Sequence, residues 1–177
     1  MSPEFQALKR VPQNPDHHPE GDVFIHSILT FMVANAILPP PYLKDDVLRY
    51  AALLHDIGKA STTKLIKGRY ITHGHDDAGE PIAKSLLLRL GQSEDFVNKV
   101  STLVKYHMKP ILFVKDSAGG SAYRRLNRNL EAVGLSMDEL NIVSVADRLG
   151  RTSDKALQLD TEVNDEFRKR YTAYGCK

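Results

Sequence analysis

Residues 45–59, DDVLRYAALLHDIGK, contain apolar residues with helical spacing, followed directly by two neighbouring polar residues. Val47, Ala51 and Leu54 stand at i, i+4 and i+7, the spacing of one face of an α-helix. His55 and Asp56 follow at the end of that face, and Gly58 is a residue type that often ends helices. The pattern predicts a buried helix whose C-terminal end carries an imidazole and a carboxylate side by side.

Apolar stripes with helical spacing recur along most of the chain. They cover residues 23–38, which stop at three consecutive prolines, and residues 75–90, 93–107 and 136–147. Pro81 falls inside the stripe of residues 75–90, so we expect that helix to begin late or to kink. No sustained alternation typical of strands competes with this pattern. We therefore expect an all-α fold, a helical bundle of about six or seven helices.

The chain is expected to form a single domain over residues 1–177. Four of the nine prolines lie in residues 1–20, which favours an extended arm or a cover over another part of the molecule. Residues 21–152 are expected to form the helical core, and residues 153–177 a C-terminal helix or tail. Residues 59–74 and 108–120 have the character of loops, the first with a short extended piece over 69–72.

Composition indicates a soluble globular protein. The 177 residues carry a formal net charge of +2, with 42% hydrophobic and 26% charged residues. This composition excludes a disordered chain, and the small net charge produces no strong electrostatic attraction to nucleic acid or anionic membranes. The single cysteine, Cys176, excludes an internal disulfide framework. Neither a signal peptide nor an apolar run of about 18 residues is visible, so we expect a cytoplasmic protein without a membrane partner.

Metal-capable side chains stand on the inward faces of five predicted helices. They are His26, His55, His75, His107 and Asp147, with Asp56 next to His55. One such histidine alone is most often a satisfied core residue, but burying the whole set uncompensated costs several kcal/mol for each group. Imidazoles and carboxylates are ligands that a divalent cation satisfies together. The mixture of nitrogen and oxygen favours Mn, Fe, Co or Ni, with Zn or Mg as alternatives, in one or two ions.

Residues 51–59, AALLHDIGK, resemble the signature of the HD-domain metal-dependent phosphohydrolases, which are all-helical. The family pattern consists of an upstream histidine, an adjacent His-Asp pair and a distant aspartate. The resemblance maps this pattern onto His26, His55, Asp56 and Asp147. Some members add two histidines between the pair and the distant aspartate and hold two metals, and His75 and His107 match those positions.

Three further stretches are similar to the HD domain attached to bacterial tRNA nucleotidyltransferases, the CCA-adding enzymes. They are HPEGDV at residues 18–23, HGHDDAG at 73–79 and YHMKP at 106–110. The nucleotidyltransferase head, with its Gly-Ser turn and paired carboxylates, is absent from this sequence, so we do not expect CCA addition. The Gly-Tyr-Pro signature of the cyclic-di-GMP branch is absent as well.

The resemblance implies roles for the candidate residues in phosphate chemistry. A divalent ion polarises a phosphoryl oxygen and lowers the pKa of a bound water, and Asp56 is the natural bridge to a second ion. The expected catalytic residues are Asp56 and Lys59, with Lys59 neutralising a phosphate oxygen. The expected substrate-binding residues are His18, Lys59, Thr63, Arg124, Arg125 and Arg128. Each basic residue also has a simpler interpretation as part of a solvated surface.

Three functional hypotheses follow. The first is a metal-dependent phosphatase or phosphodiesterase that acts on nucleotides or on phosphorylated or 2′,3′-cyclic RNA ends. The second is a hydrolase of dinucleoside polyphosphates or nucleoside monophosphates. The third is a binding module that retains metal and holds tRNA or a partner domain. The expected partner in the first case is a nucleotide or an RNA 3′-end phosphate; the sequence does not predict an oligomeric state.

Overall fold

The computed structural model describes residues 2–42, 45–152 and 154–177, without the side chains of residues 154–161. Within that part of the chain the elements are α1 (Pro3–Gln6), α2 (Val23–Ile37), α3 (Asp46–Leu54), α4 (Lys59–Thr62), β1 (Lys64–Ile66), β2 (Arg69–Ile71), α5 (His75–Arg89), α6 (Glu94–Tyr106), α7 (Lys109–Lys115), α8 (Gly120–Glu131), α9 (Met137–Leu149) and α10 (Asp154–Ala173). The predicted all-α class is confirmed. Eight of these described helices have seven or more residues, slightly more than the six or seven expected.

Side-chain caps set the starts of the helices that form the core. Asp22 accepts a hydrogen bond from the backbone of α2, and Asp45 does the same for α3. Ser136 and Glu139 form a reciprocal capping box at the start of α9. These caps satisfy backbone N–H groups that have no partner inside the helix. Of the helices that carry the site, α2, α3 and α9 therefore begin at residues that the local sequence specifies.

The core lies where α2, α3, α5, α6 and α9 pack on one another. Helix α2 packs on α3 and α9, α3 packs on α6, and α5 lies along α6. Leu48, Leu103 and Leu140 are fully buried where these helices meet. Because the inward faces of α2, α3, α5, α6 and α9 converge, polar residues on those faces are brought toward a common point.

Gly58 allows the turn after α3 to lie against the start of α5. A Cβ atom at this position would lie 2.1 Å from the carbonyl oxygen of His75 and 2.7 Å from the backbone nitrogen of Gly79. Its φ is −73°, an ordinary right-handed value. Helix α3 ends at Leu54, so Gly58 does not end it as expected and instead precedes the first residue of α4. The residue is required because two backbones approach too closely for any side chain.

Residues 59–74 contain more structure than the expected loop. Helix α4 is followed by an antiparallel hairpin in which Leu65 pairs with Tyr70. Lys67 and Gly68 at its turn both have positive φ, 49° and 75°, as a two-residue hairpin turn requires. Lys67 is not a residue type that favours this conformation, so the turn carries a weak sequence signal. The short extended piece expected over 69–72 coincides with β2, whereas its partner strand was not expected.

Two prolines have less effect than the sequence pattern suggests. Helix α7 occupies residues 109–115, inside the segment expected to be irregular, with Pro110 in its first turn. Proline is tolerated there because that N–H has no partner within the helix. Helix α5 begins at His75 and continues through Pro81 to Arg89, so the expected late start is wrong.

The N-terminal segment covers the core. It begins with the single-turn helix α1, and Phe5 and Leu8 are buried. The backbone of Val23 donates to the carbonyl of Val11, which ties the segment to the start of α2. Of the two forms expected for residues 1–20, the structure therefore favours a cover over an extended arm.

The C-terminal helix α10 packs on α9, with Phe167 and Tyr171 buried. The expected boundary at residue 153 lies outside the described residues. None of the helices in the described part of the chain, α10 included, is long and apolar enough to cross a membrane.

Candidate metal centre

Six metal-capable side chains from five helices or their ends meet in the core. His26 comes from α2, and His55 and Asp56 from the turn after α3. His75 is the first residue of α5, His107 follows α6, and Asp147 lies in α9. All six are buried, with exposed fractions between 0% and 7%. The structure thus brings together every residue that the sequence suggested as a metal ligand.

The first half of the cluster surrounds Asp147. Its Oδ1 lies 2.9 Å from Nε2 of His26 and 3.6 Å from Nε2 of His55. Nε2 of His55 also lies 3.2 Å from Oδ2 of Asp56, yet it makes no hydrogen bond to any described residue. Two imidazoles and two carboxylates therefore converge on one small volume, and at least one buried ring nitrogen there lacks a hydrogen bond.

The second half surrounds the other oxygen of Asp56. Oδ1 of Asp56 lies 3.3 Å from Nε2 of His75 and 3.8 Å from Nε2 of His107. Since Oδ2 faces His55, the Asp56 carboxylate directs one oxygen toward each half of the cluster. This is the arrangement expected of a bridging ligand. His26, His55 and Asp147 form one compact group of donors, and Asp56, His75 and His107 form a second.

Backbone carbonyl groups orient three of the four imidazoles. Nδ1 of His55 lies 2.8 Å from the carbonyl oxygen of Ala52. Nδ1 of His75 lies 2.7 Å from the carbonyl oxygen of Thr72, and Nδ1 of His107 lies 2.7 Å from that of Val104. A carbonyl oxygen only accepts hydrogen bonds, so each Nδ1 carries the hydrogen. In a neutral ring the lone pair is then on Nε2, the atom that faces the cluster. This tautomer is the one that binds a metal through Nε2.

Charge in the cluster is strongly perturbed by burial and by close neighbours. Burial would raise the pKa of Asp56, but His55 and Lys59 hold it well below its usual range. Burial would lower the pKa of His55, but Asp56 and Asp147 outweigh it and raise the pKa to about 10. Burial and the nearby His75 lower the pKa of His107 to about 3, so that ring is neutral. The donor set of imidazoles and ionised carboxylates fits one or two divalent cations.

Lys59 lies directly beside the cluster. Its Nζ is 2.6 Å from Oδ2 of Asp56 and donates to Oε1 of Gln13 at 2.9 Å. The side chain is 7% exposed and lies on the wall of a cavity that reaches Asp56. A cation at this place lies within reach of a phosphate that approaches the cluster. Its expected role toward substrate remains a prediction.

A cavity of about 460 Å³ opens onto the cluster. Asp56, His75 and Asp147 form part of its wall. The N-terminal segment contributes Gln13, Asn14, His17 and His18 to the wall, and the hairpin region contributes Tyr70 and Thr72. Helix α7 adds Ile111 and Lys115, and the segment after α9 adds Arg151. Together with Lys59, five cationic or potentially cationic groups thus line a cavity whose wall also includes Asp56, Asp147 and His75. His18, expected to face the site, does so, and His17 does as well.

Several expected substrate-binding residues lie elsewhere. The hydroxyl of Thr63 donates to the carbonyl oxygen of Lys59 at 2.7 Å, and Thr63 is not part of the cavity wall. Arg124, Arg125 and Arg128 are exposed on α8, and none of the three is among the described residues that line the cavity. The structure does not bring them to the cavity, because they lie on the exposed face of α8, whereas its buried face packs on α10.

Two contacts at the site were not anticipated from the sequence. Gln13 holds Lys59, and Glu20 lies with Oε1 2.8 Å from Nδ1 of His26. Glu20 was part of the stretch compared with the CCA-adding enzymes, but its role had no local signal. Its side chain is 1% exposed, and no periodic pattern in the Pro-rich segment predicts that burial.

A family model described as the HD domain matches residues 23–152, which span 130 of the 177 residues. The matched range contains His26, the His55–Asp56 pair, His75, His107 and Asp147. Members of this superfamily are in general metal-dependent hydrolases acting on phosphate esters, in keeping with the donor set assembled here. With a match over most of its length and its buried histidines and aspartates gathered around Asp56, the chain belongs to the HD domain family.

Proposed function

We propose that this protein is a metal-dependent phosphatase or phosphodiesterase that acts on nucleotides or on phosphorylated or 2′,3′-cyclic RNA ends. The observation that carries the proposal is the position of Asp56. One of its oxygens faces His55, the other faces His75 and His107, and the same carboxylate lies on the wall of an open cavity. A buried cluster that only stabilised the fold would have no reason to be reached by such a cavity.

His26, His55, Asp56 and Asp147 would hold one divalent cation, and Asp56, His75 and His107 a second. Bound there, divalent cations supply a Lewis acid for the phosphoryl group and lower the pKa of water. Lys59 adds a fixed positive charge beside Asp56, where it can stabilise charge that develops on a phosphate oxygen. Arg151, with Nη2 3.5 Å from Oδ1 of Asp147, adds a second cation on the cavity wall.

The cavity favours a substrate part of about the size of one nucleotide. Its volume of about 460 Å³ lies in the usual range for small-molecule sites. Tyr70 and Ile111 add apolar groups to its wall, which suit a nucleoside attached to the phosphate. The sequence-based expectation that residues 18–23, 73–79 and 106–110 resemble CCA-adding enzymes makes RNA ends one class to test.

The deciding experiment measures metal content and hydrolysis together. We expect the purified protein with Mn²⁺ or Ni²⁺ to hydrolyse bis-p-nitrophenyl phosphate or p-nitrophenyl phosphate. A panel of nucleoside 2′,3′-cyclic phosphates, nucleoside monophosphates, dinucleoside polyphosphates and RNA with 3′-terminal phosphates then assigns the substrate class. His55→Ala should lose metal and turnover while retaining the helical circular dichroism signal.

His73→Ala is the matched control, because His73 is exposed in the loop before α5. That variant should keep metal and activity. A metal-loaded protein without turnover of any ester, but with a gel shift on tRNA, would instead favour the binding-module hypothesis.

A further inference from the structure

Gln13 lies on the wall of the cavity that opens onto the buried cluster, and its side-chain amide contacts two other parts of the chain. Its Oε1 accepts a hydrogen bond from Nζ of Lys59 at 2.9 Å. Its Nε2 donates a longer hydrogen bond, of 3.5 Å, to the backbone carbonyl oxygen of Gly21. Gln13 and Lys59 are each 7% exposed. Gln13 therefore joins the N-terminal segment to the cation that lies beside Asp56.

We propose that Gln13 is a positioning residue: it fixes the ammonium group of Lys59 at the cavity wall, where Lys59 meets the phosphate of the substrate. The contact of Lys59 with a phosphate rests on the proposed function, whereas the attachment of Lys59 to Gln13 does not. Gln13 is separate from the six candidate metal ligands and acts through Lys59.

The two partners of Gln13 define the orientation of its amide group. An ammonium group has only donors, so the atom of Gln13 that faces Lys59 must be the oxygen. A backbone carbonyl oxygen only accepts, so the atom that faces Gly21 must be the nitrogen. Both contacts require the same orientation, and only a side chain with an acceptor and a donor at its end makes both of them.

Asp56 alone does not fix Lys59. Nζ of Lys59 lies 2.6 Å from Oδ2 of Asp56, yet this oxygen makes no hydrogen bond to any described residue. In the proposed function Asp56 also faces divalent cations, which repel an ammonium group. The amide of Gln13 is neutral and faces Lys59 from the other side of this contact, so it holds the flexible lysine side chain whether or not Asp56 binds a metal.

Backbone hydrogen bonds hold Gln13 itself in place. The backbone nitrogen of Val23 donates to the carbonyl oxygen of Val11 at 3.1 Å. The backbone nitrogen of Arg10 donates to Oδ2 of Asp22 at 2.9 Å. These two contacts tie the residues just before Gln13 to the start of α2. The amide therefore reaches the cavity from a backbone that is fixed to the helical core.

A different role for Gln13 is direct contact with the substrate, since its side chain lines the cavity. The oxygen and the nitrogen of its amide are both already engaged, by Lys59 and Gly21. The two roles also differ in a measurable way. If Gln13 acts through Lys59, its loss has no further effect once Lys59 is absent, whereas a direct contact gives an independent effect.

The first test measures the mobility of the Lys59 side chain by NMR relaxation of its ¹³Cε group in the metal-free protein. Gln13→Met keeps the length of the side chain and removes its hydrogen bonds. We expect the order parameter of Lys59 Cε to fall in this variant and to stay unchanged in Gln92→Met. Gln92 is the matched control, because it lies between α5 and α6 and is not among the described residues that line the cavity. Gln13→Ala removes the same amide and replaces Gln13→Met if that variant does not fold.

The second test is a double-mutant cycle on the hydrolysis of bis-p-nitrophenyl phosphate with Mn²⁺. Gln13→Met should lower kcat/KM by about tenfold, the lower end of the effect of losing a hydrogen bond to a charged group. The same substitution made in Lys59→Ala should change kcat/KM by less than about twofold, because the residue through which Gln13 acts is gone. The Mn²⁺ content of Gln13→Met should equal that of the wild type.

An order parameter of Lys59 that is the same in the wild type and in folded Gln13→Met would overturn the proposal. Losses of kcat/KM that add in the double variant would overturn it as well, because they would show that Gln13 contacts the substrate directly. Loss of Mn²⁺ from Gln13→Met would show that the residue supports the metal ligands instead. A wild-type protein that hydrolyses no ester would refute the proposed function, while the NMR measurement would still decide whether Gln13 fixes Lys59.

Discussion

Nε2 of His75 lies 3.2 Å from Nε2 of His107, although each ring donates its Nδ1 hydrogen to a backbone carbonyl. His107 is neutral because burial lowers its pKa, so its Nε2 presents a lone pair. Two imidazoles therefore direct their Nε2 atoms at one point next to Oδ1 of Asp56. A cation at that point would satisfy all three groups, and this relationship is the strongest geometric indication of a second metal position.

The first prediction concerns metal stoichiometry. The wild-type protein saturated with Mn²⁺ should hold two ions per chain, and His107→Ala should hold one, because His26, His55 and Asp147 remain. Elemental analysis after removal of free metal measures the ratio. One ion per chain in the wild type, with His75 and His107 free of metal, would leave a mononuclear site.

The second prediction concerns Lys59. Lysine cannot bind a cation while protonated, so Lys59→Ala should keep its metal content. The value of kcat/KM should fall by roughly 10²-fold, the usual effect of removing one group that stabilises developing charge. Lys64→Ala, at an exposed position in β1, is the control and should retain wild-type rates. Loss of metal in Lys59→Ala would show that its ion pair with Asp56 organises the cluster instead.

The third prediction concerns pH. The pKa of His55 is raised to about 10 by Asp56 and Asp147, which outweigh burial, so a proton occupies that ring at neutral pH and must leave when metal binds. Mn²⁺ affinity should therefore rise between pH 6.5 and 8.5, approaching about tenfold per pH unit for one released proton. Titration calorimetry in buffers of different ionisation enthalpy counts the protons. Affinity that stays flat over this range would contradict the assignment of His55 as a ligand.

The fourth prediction concerns Gly58. A Cβ atom there would lie 2.1 Å from the carbonyl oxygen of His75, so Gly58→Ala must push apart the turn after α3 and the start of α5. The free energy of unfolding in urea should fall by about 2–4 kcal/mol, within the upper range for overpacking. Because His75 moves, the variant should also bind fewer Mn²⁺ ions.

Gly119→Ala is the control for that substitution. A Cβ atom at Gly119 meets nothing within 4 Å, and its φ of −81° is ordinary for any residue. The free energy of unfolding should change by less than about 1 kcal/mol. Equal losses in the two variants would show that the close approach at Gly58 is not the cause.

What the sequence determined by itself was the class of fold and the set of candidate ligands. Helical spacing predicts which way a side chain faces on its own helix. Because an apolar stripe ends at His55 and Asp56, both side chains are predicted to face the core. The same reasoning places His26 and Asp147 inward, although 121 positions separate them along the chain. A set of uncompensated polar groups on inward faces then points to a cation, because the cost of burying them is large.

Only the tertiary structure decided which residues surround that set. The contact of Glu20 with His26 and that of Gln13 with Lys59 join the N-terminal segment to the core, and no local pattern encodes them. Arg124 and Arg128 share a helical face as their spacing predicts, yet that face is exposed away from the cavity. The physical reason is that periodicity fixes direction within one helix, whereas contacts between segments depend on how helices pack, and packing is set by side chains distributed over the whole core.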